Sequence, residues 1–239
     1  MSNHELTSIV SGAVGEFYKS RLDKVKNIKL NKILGRKNPY LYQTYGINNP
    51  SEFIKKILLD FITSSDETVF GDQVFEKIAK EVSGGVVSPS EGVDIAVETT
   101  DTYTAYAVKS GPNPFNASAK KRQNDEFNSL RARVQKIKKR FDPVLAYSYG
   151  QISENRKKPT KNKVYREVAG REFWEELTKD SDFYLKLVKA INSISMDKMS
   201  EFDEEFNKTI SRLTKEFSNN FSRDDGSINW EKLTKFVSG

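Results

Sequence analysis

Two short stretches of this 239-residue chain hold residue types whose spacing could do chemistry: Gly92-Val93-Asp94-Ile95-Ala96-Val97-Glu98 and Tyr106-Ala107-Val108-Lys109-Ser110-Gly111. In the first, Val93, Ile95 and Val97 alternate with Asp94, Ala96 and Glu98, a period of two that reads as a strand. A second alternating run, Tyr103 to Lys109, stops at Gly111-Pro112, so the two read as a β-hairpin turning through Thr99 to Thr102. A loop of that length places Asp94 opposite Ala107, with Lys109 one pleat further along the same face. An acid at the end of one strand beside a lysine on its neighbour is how metal-dependent nucleases hold a divalent cation next to an ammonium. The carboxylate binds the metal, and the ammonium orients the attacking water and offsets charge on the phosphate. A solvent-facing strand edge also carries such pairs, so the surrounding elements decide.

Those elements begin with a helical opening third, in which Ile9, Val10, Val14, Phe17, Leu22 and Val25 recur at helical spacing until Asn38-Pro39 breaks it. After a linker through Gly46 to Pro50, Ser51 opens a helix with Phe53, Ile54, Ile57, Leu58 and Phe61 on one stripe. Ser64-Ser65-Asp66-Glu67 offers a capping box for another, which runs to about Val82. Its apolar stripe is Phe70, Val74, Phe75, Ile78 and Val82, while Asp72, Glu76 and Lys80 recur every four residues on a different face. Behind the hairpin comes a long amphipathic helix with Phe127, Leu130, Val134 and Ile137 inward. Strands over Pro143 to Tyr149 and Val164 to Val168 follow, and then a helical remainder with Met199, Phe202, Phe206, Ile210, Leu213 and Phe217 at steps of three and four. Nothing divides the chain in two. It reads as one domain over residues 1–239, in which a helical N-terminal segment (residues 1–63) and a helical C-terminal segment (residues 170–239) flank a catalytic core (residues 64–169).

Composition narrows the chemistry. Cysteine is absent and His4 is the only histidine, which excludes thiolate zinc sites, disulfides, Cys nucleophiles and Ser–His dyads. With 15 Phe, 10 Tyr and 2 Trp, the chain can close a core although only 36% of it is apolar. No apolar run approaches the roughly 20 residues of a spanning helix, and MSNHELTSIV lacks the pattern of a secretory signal, so no membrane partner and a cytoplasmic location are expected.

The net charge of +6 is unevenly spread: residues 117–166 carry 15 Lys and Arg against four Asp and Glu, a formal +11 that leaves −5 elsewhere. A segment so basic suits a polyanion. Within and before it, Ser110 to Ser118 is a loop of small and amide side chains in which Ser110, Asn113, Asn116 and Ser118 could reach phosphates or base edges, with Lys120 at the head of the basic helix. The loop around Arg156, Lys157, Lys158 and Lys161 reads as a phosphate clamp or an ordinary mobile basic loop, the clamp being favoured because the hairpin is nearby in sequence.

The order of helix, hairpin, helix and strand is that of the PD-(D/E)XK nuclease core, an α/β fold with a mixed sheet, here with extra N- and C-terminal helices. More specifically, the chain resembles the Pme-type group of Type II restriction endonucleases. The resemblance spans most of the chain. It rests on Leu30-Asn31-Lys32 with Lys37-Asn38-Pro39-Tyr40-Leu41, Ser64-Ser65-Asp66-Glu67 with Phe70-Gly71-Asp72, Gly92-Val93-Asp94-Ile95, and Val108-Lys109-Ser110-Gly111-Pro112-Asn113. Gly170-Arg171-Glu172-Phe173-Trp174 and Gly226-Ser227-Ile228-Asn229-Trp230 add to it. It implies sequence-specific, Mg2+-dependent cleavage of double-stranded DNA by a homodimer, with a separate methyltransferase acting on the same site.

The chain departs from the superfamily pattern at Ala107, where a second acid should stand; a methyl cannot ligate metal. Glu98 shares a face with Asp94 but lies four strand residues away, about 13 Å. Relatives commonly place a helix carboxylate at the metal, which makes Glu76 the expected second ligand beside Asp94, with Gln123 or Glu126 as alternatives. Two other readings remain at this point: a DNA-binding module whose nuclease fold has lost an acid, and a repair or recombination nuclease.

Overall fold

The computed structural model describes residues 1–87, 90–112 and 116–239, apart from the side chains of Val87 and Asp197. The helices are α1 Asn3–Lys26, α2 Leu30–Leu34, α3 Pro39–Thr44, α4 Pro50–Thr63, α5 Asp66–Phe70, α6 Lys77–Val82, α7 Ala117–Lys136, α8 Arg171–Thr178, α9 Phe183–Phe221 and α10 Trp230–Ser238. The strands are β1 Val86–Val87, β2 Ile95–Glu98, β3 Thr102–Lys109, β4 Arg140–Tyr147 and β5 Arg166–Ala169. Packing divides the chain into two compact units, one of residues 1–17 and 68–195 and the other of 18–67 and 196–239.

The first unit holds a five-stranded sheet in the order β1-β2-β3-β4-β5. The β1–β2 and β2–β3 pairs are antiparallel, and the β3–β4 and β4–β5 pairs parallel, so the sheet is mixed and carries the restriction-endonuclease-like core the sequence leads one to expect. Alternation along the strands sends side chains to two faces. Ala105 and Ala107 of β3 and Leu145 and Tyr147 of β4 face α7, where Phe127, Leu130 and Val134 cover them. On the opposite face Tyr106 packs on Phe173 of α8 and donates a hydrogen bond to Glu176 Oε1 at 2.7 Å. Trp174 of α8 is buried and donates through Nε1 to the Ser148 carbonyl at 2.8 Å. The small side chains at positions 105 and 107 let α7 lie close to the sheet.

The second unit is helical and centres on Phe53 of α4. Its ring contacts Tyr42 of α3 at 5.4 Å, Phe217 of α9 at 5.1 Å and Trp230 of α10 at 5.5 Å. Asn38, Asn49 and Asn229 cap α3, α4 and α10 through their side-chain oxygens, and Pro follows at once in the first two, the usual opening of a helix.

Several expectations need correction. The opening helix stops at Lys26, well before Asn38-Pro39, and α2 and α3 are separate short helices. Ile137 lies beyond α7 and is exposed, as is Met199 on α9. The stretch expected as one helix to Val82 is interrupted by a π-helical turn, Gly71–Glu76, between α5 and α6. The hairpin register of Ile95 with Tyr106 through Glu98 with Tyr103 is the one expected, but it does not extend to Asp94 and Ala107. Instead the Asp94 amide donates to the carbonyl of Tyr106 at 2.8 Å, so Asp94 and Ile95 together oppose one residue, the two-against-one count of a β-bulge.

Candidate active site

The bulge aims Asp94. Two residues before Asp94, Gly92 takes a φ of +72°, a conformation glycine adopts at little cost, and the Val93 amide closes the turn on the Ser90 carbonyl at 3.2 Å. Asp94 Oδ2 then accepts a hydrogen bond from the Val108 amide at 2.7 Å, which ties the acid to the backbone of β3 one residue before Lys109. The Lys109 ammonium stands 3.7 Å from the same oxygen. Lys109 is itself held from the other side: it pairs with Tyr147 of β4, and its carbonyl accepts from the Ser148 amide at 2.9 Å.

Glu76 reaches this pair from the π-helical turn. Gly71, at the start of that turn, is buried against the end of β3. A methyl there would lie 3.1 Å from Ser110 Cβ, so glycine permits the close approach. The wider turn is followed directly by α6, and Glu76 sits at the junction, half-buried, with its Oε1 accepting from Lys80 Nζ at 2.6 Å. Burial pushes the Glu76 carboxyl above its ordinary value; the Lys80 hydrogen bond opposes this, the Asp94 charge adds to it, and the Lys109 charge opposes it. Glu76, Asp94, Lys80 and Lys109 therefore form one electrostatic cluster. π-helical turns recur at functional sites, and this one carries an acid that burial and a neighbouring acid make costly to ionise. Phe75, the preceding residue, contacts Tyr149 and Trp174 and lines a separate cavity of about 840 Å3.

Two carboxylates of this kind fit a small hard cation. Mg2+ takes oxygen ligands, keeps several waters and is commonly held by one or two carboxylates together with substrate phosphates. Among the described residues, no group of three or more His, Asp or Glu side chains gathers, in keeping with Ala107, which is fully buried in the core beneath α7. Glu98 is remote from this chemistry and pairs with Lys139 at 2.7 Å. The alternatives Gln123 and Glu126 both support the turn that delivers Asp94. Gln123 is buried and donates to the Gly92 carbonyl at 2.8 Å, while Glu126 pairs with Arg122 and packs on Gly92.

A family model described as Type II restriction endonuclease EcoO109I matches residues 4–199. The chain belongs to this family. The match does not extend to the Pme-type group that its motifs suggested. Among curated proteins none matches the chain. As a member of the EcoO109I family the protein is a site-specific deoxyribonuclease, and double-stranded DNA is its substrate. No helix among the described residues is long and apolar enough to cross a membrane.

Within this endonuclease the residues expected to touch DNA fall into different settings. Asn113 lies outside the described residues. Ser110 packs against Gly71. Asn116 is the N-cap of α7 and accepts from the Ala119 amide at 2.9 Å, so its side-chain oxygen already has a structural task, while Ser118 and Lys120 are exposed on the first turns of α7. Arg156 turns inward. It donates to the buried Glu167 at 2.6 and 2.9 Å, to Tyr147 Oη at 3.1 Å and to the Pro112 carbonyl at 2.9 Å, and so braces the loop after β3 against β5. Lys157 is held between Glu154 and Glu172, and Lys163 between the Arg156 carbonyl and Glu167. Lys158 and Lys161 are exposed.

Sequence reasoning did not assign Lys80 to the site. The signal was present: an acid followed four residues later by a lysine pairs along a helix. Only the fold shows that this pair lies beside Asp94 and Lys109 and is not on an ordinary solvated face.

Proposed function

We propose that Glu76, Asp94 and Lys109 form the centre of a Mg2+-dependent, sequence-specific endonuclease of the PD-(D/E)XK type. The whole of residues 1–239 would work as one nuclease domain, as a homodimer, in the cytoplasm. It would act alongside a separate methyltransferase that marks the same DNA site. The observation that carries this reading is that the π-helical turn bearing Glu76 packs on β3, which places its half-buried carboxyl within the fields of Asp94 and Lys109, themselves 3.7 Å apart.

Asp94 and Glu76 would hold the cation, which when bound supplies charge neutralisation at the phosphate and acidity to water. The residues of the chain account for the rest. Asp94 is fixed by the Val108 amide, so its carboxylate is oriented before substrate arrives. Lys109, anchored by β4, places a positive charge where the attacking water loses its proton and where the phosphorane-like transition state accumulates negative charge. Water oxygen bonds to phosphorus as the P–O bond to the leaving sugar breaks, leaving one phosphate-bearing and one hydroxyl end. Ser118, Lys120, Lys158 and Lys161 are the exposed residues of the expected set best placed to meet phosphates, and Ser110 together with the Asn113 and Asn116 loop would supply specificity.

Incubation of the purified protein with long duplex DNA and Mg2+, followed by sequencing of the ends, tests this. Discrete fragments that share one terminal sequence are expected, with none formed in EDTA. A continuous smear would refute sequence specificity, and equal cleavage in EDTA would refute the metal dependence.

A further inference from the structure

Lys80 adds a fourth charge to the cluster, and its contact differs from that of Lys109. The Lys80 ammonium donates directly to Glu76 Oε1 at 2.6 Å, whereas Lys109 stands 3.7 Å from Asp94 Oδ2, an oxygen already engaged by the Val108 amide. An i,i+4 pair on a solvated helix face contributes little. This one is half-buried, with 21% of the Glu76 side chain and 31% of the Lys80 side chain exposed. The two acids and two ammoniums also balance, so the site has no formal net charge to draw a divalent cation, and one of its two acids is already taken.

We infer that Lys80 is a displaceable counter-ion that couples cation binding to DNA binding. In the free enzyme its ammonium occupies Glu76. A DNA phosphate entering the site competes for that ammonium, and Glu76 is released to the cation. This rests on the reading of Glu76 and Asp94 as the cation site. Lysine suits the task because its charge is a compact point on a flexible four-carbon stem and can swing between a carboxylate and a phosphate without a fixed geometry. Linkage makes the coupling reciprocal: if DNA frees Glu76 for the cation, the cation must tighten DNA by the same factor. Lys80 is thus a positioning residue. It keeps the DNA-free enzyme poor in metal and lets the site assemble on substrate.

The test is calorimetric titration of Mg2+ into the full-length, DNA-free protein, comparing wild type with Lys80→Met, Lys80→Gln and Lys80→Arg. Removing the ammonium should tighten Mg2+ about tenfold, the scale of one charge-assisted hydrogen bond no longer competing, while Lys80→Arg should stay near wild type. A purely structural lysine would leave Mg2+ affinity unchanged or weaken it, and either result in both Lys80→Met and Lys80→Gln overturns the inference. Asp94→Asn separates the site assignment from the role of Lys80. If Asp94→Asn leaves Mg2+ binding intact, the cation lies elsewhere and the site assignment fails. If it abolishes binding while the Lys80 variants show no gain, only the role of Lys80 fails. In the second arm, anisotropy of a labelled duplex with and without Ca2+ should show the cation-dependent gain in DNA affinity shrinking about tenfold in Lys80→Met. An unchanged gain contradicts the coupling.

Discussion

Asp94 performs two tasks that substitutions can separate. Its Oδ2 accepts the Val108 amide at 2.7 Å, and in the proposed function its charge holds the cation. Asp94→Ala removes both, and Val108 is buried, so its N–H is left without an acceptor at a cost of about 1–3 kcal/mol. Asp94→Asn keeps an acceptor oxygen in the same place and loses only the charge. Both variants relieve the repulsion with Glu76 and both lose the attraction to Lys109, so those contributions cancel between them and the difference isolates the hydrogen bond. For a chain of this length each kcal/mol moves Tm by roughly 2–4 °C, so Asp94→Ala should melt roughly 2–12 °C below Asp94→Asn in a calorimetric scan without metal. Cleavage of duplex DNA should fall in both by at least about 10^3-fold, because several kcal/mol of transition-state charge stabilisation is lost. Equal melting temperatures would refute the bonding of Asp94 to β3, and an Asp94→Asn enzyme that cuts at the wild-type rate would refute its assignment as a ligand.

The Glu76 carboxyl is raised above its ordinary value, so the folded state holds that proton more tightly than the unfolded chain and ionisation costs stability. Glu76→Gln should therefore be more stable than wild type at neutral pH. That advantage should disappear as pH falls below the ordinary carboxylate value of about 4.5, where both states are protonated; denaturant midpoints across pH check it, and a variant less stable at pH 7 contradicts it. Gly71→Ala should slow cleavage by pushing the π-helical turn off Ser110, whereas Gly12→Ala, in open space on α1, should raise stability by about 0.5–1 kcal/mol and leave cleavage alone. Neutralising Lys158 and Lys161 together should lower the slope of log affinity against log salt by up to about 2, because each phosphate contact contributes about 0.9. Arg156→Ala should instead lower thermal stability, toward the smaller end of the about 3–5 kcal/mol that unpairing a buried charge costs, since Lys163 still reaches Glu167.

The hairpin was legible because alternation and a short turn fix a register, and that register holds from Ile95 through Glu98. It failed at Asp94 because a bulge is set by one shared carbonyl, for which side-chain alternation carries no signal. The order of elements made Glu76 the favoured candidate for the acid missing at Ala107, with Gln123 and Glu126 left open, but the approach of Glu76 to β3 depends on Gly71 meeting Ser110 across 39 residues of sequence, and that contact is tertiary. The π-helical turn escaped for a related reason: Phe70, Val74, Phe75 and Ile78 read as an unbroken stripe, and one wider turn hardly disturbs such a pattern. Charge along the chain was a poorer guide. Residues 154–163 look like a free basic loop, yet Arg156, Lys157 and Lys163 are spent on Glu167, Glu172 and Glu154, because the fold of the loop brings it onto β5, α8 and its own acid.

A crystal of the full-length protein with duplex DNA and Mn2+ is the decisive measurement, since anomalous scattering locates the cation without reference to activity. A peak is expected within coordinating distance of both the Asp94 and Glu76 carboxylates, with Lys109 beside it and Lys80 turned away from Glu76. A cation bound away from Asp94 and Glu76 would contradict the assignment of these two acids as its ligands.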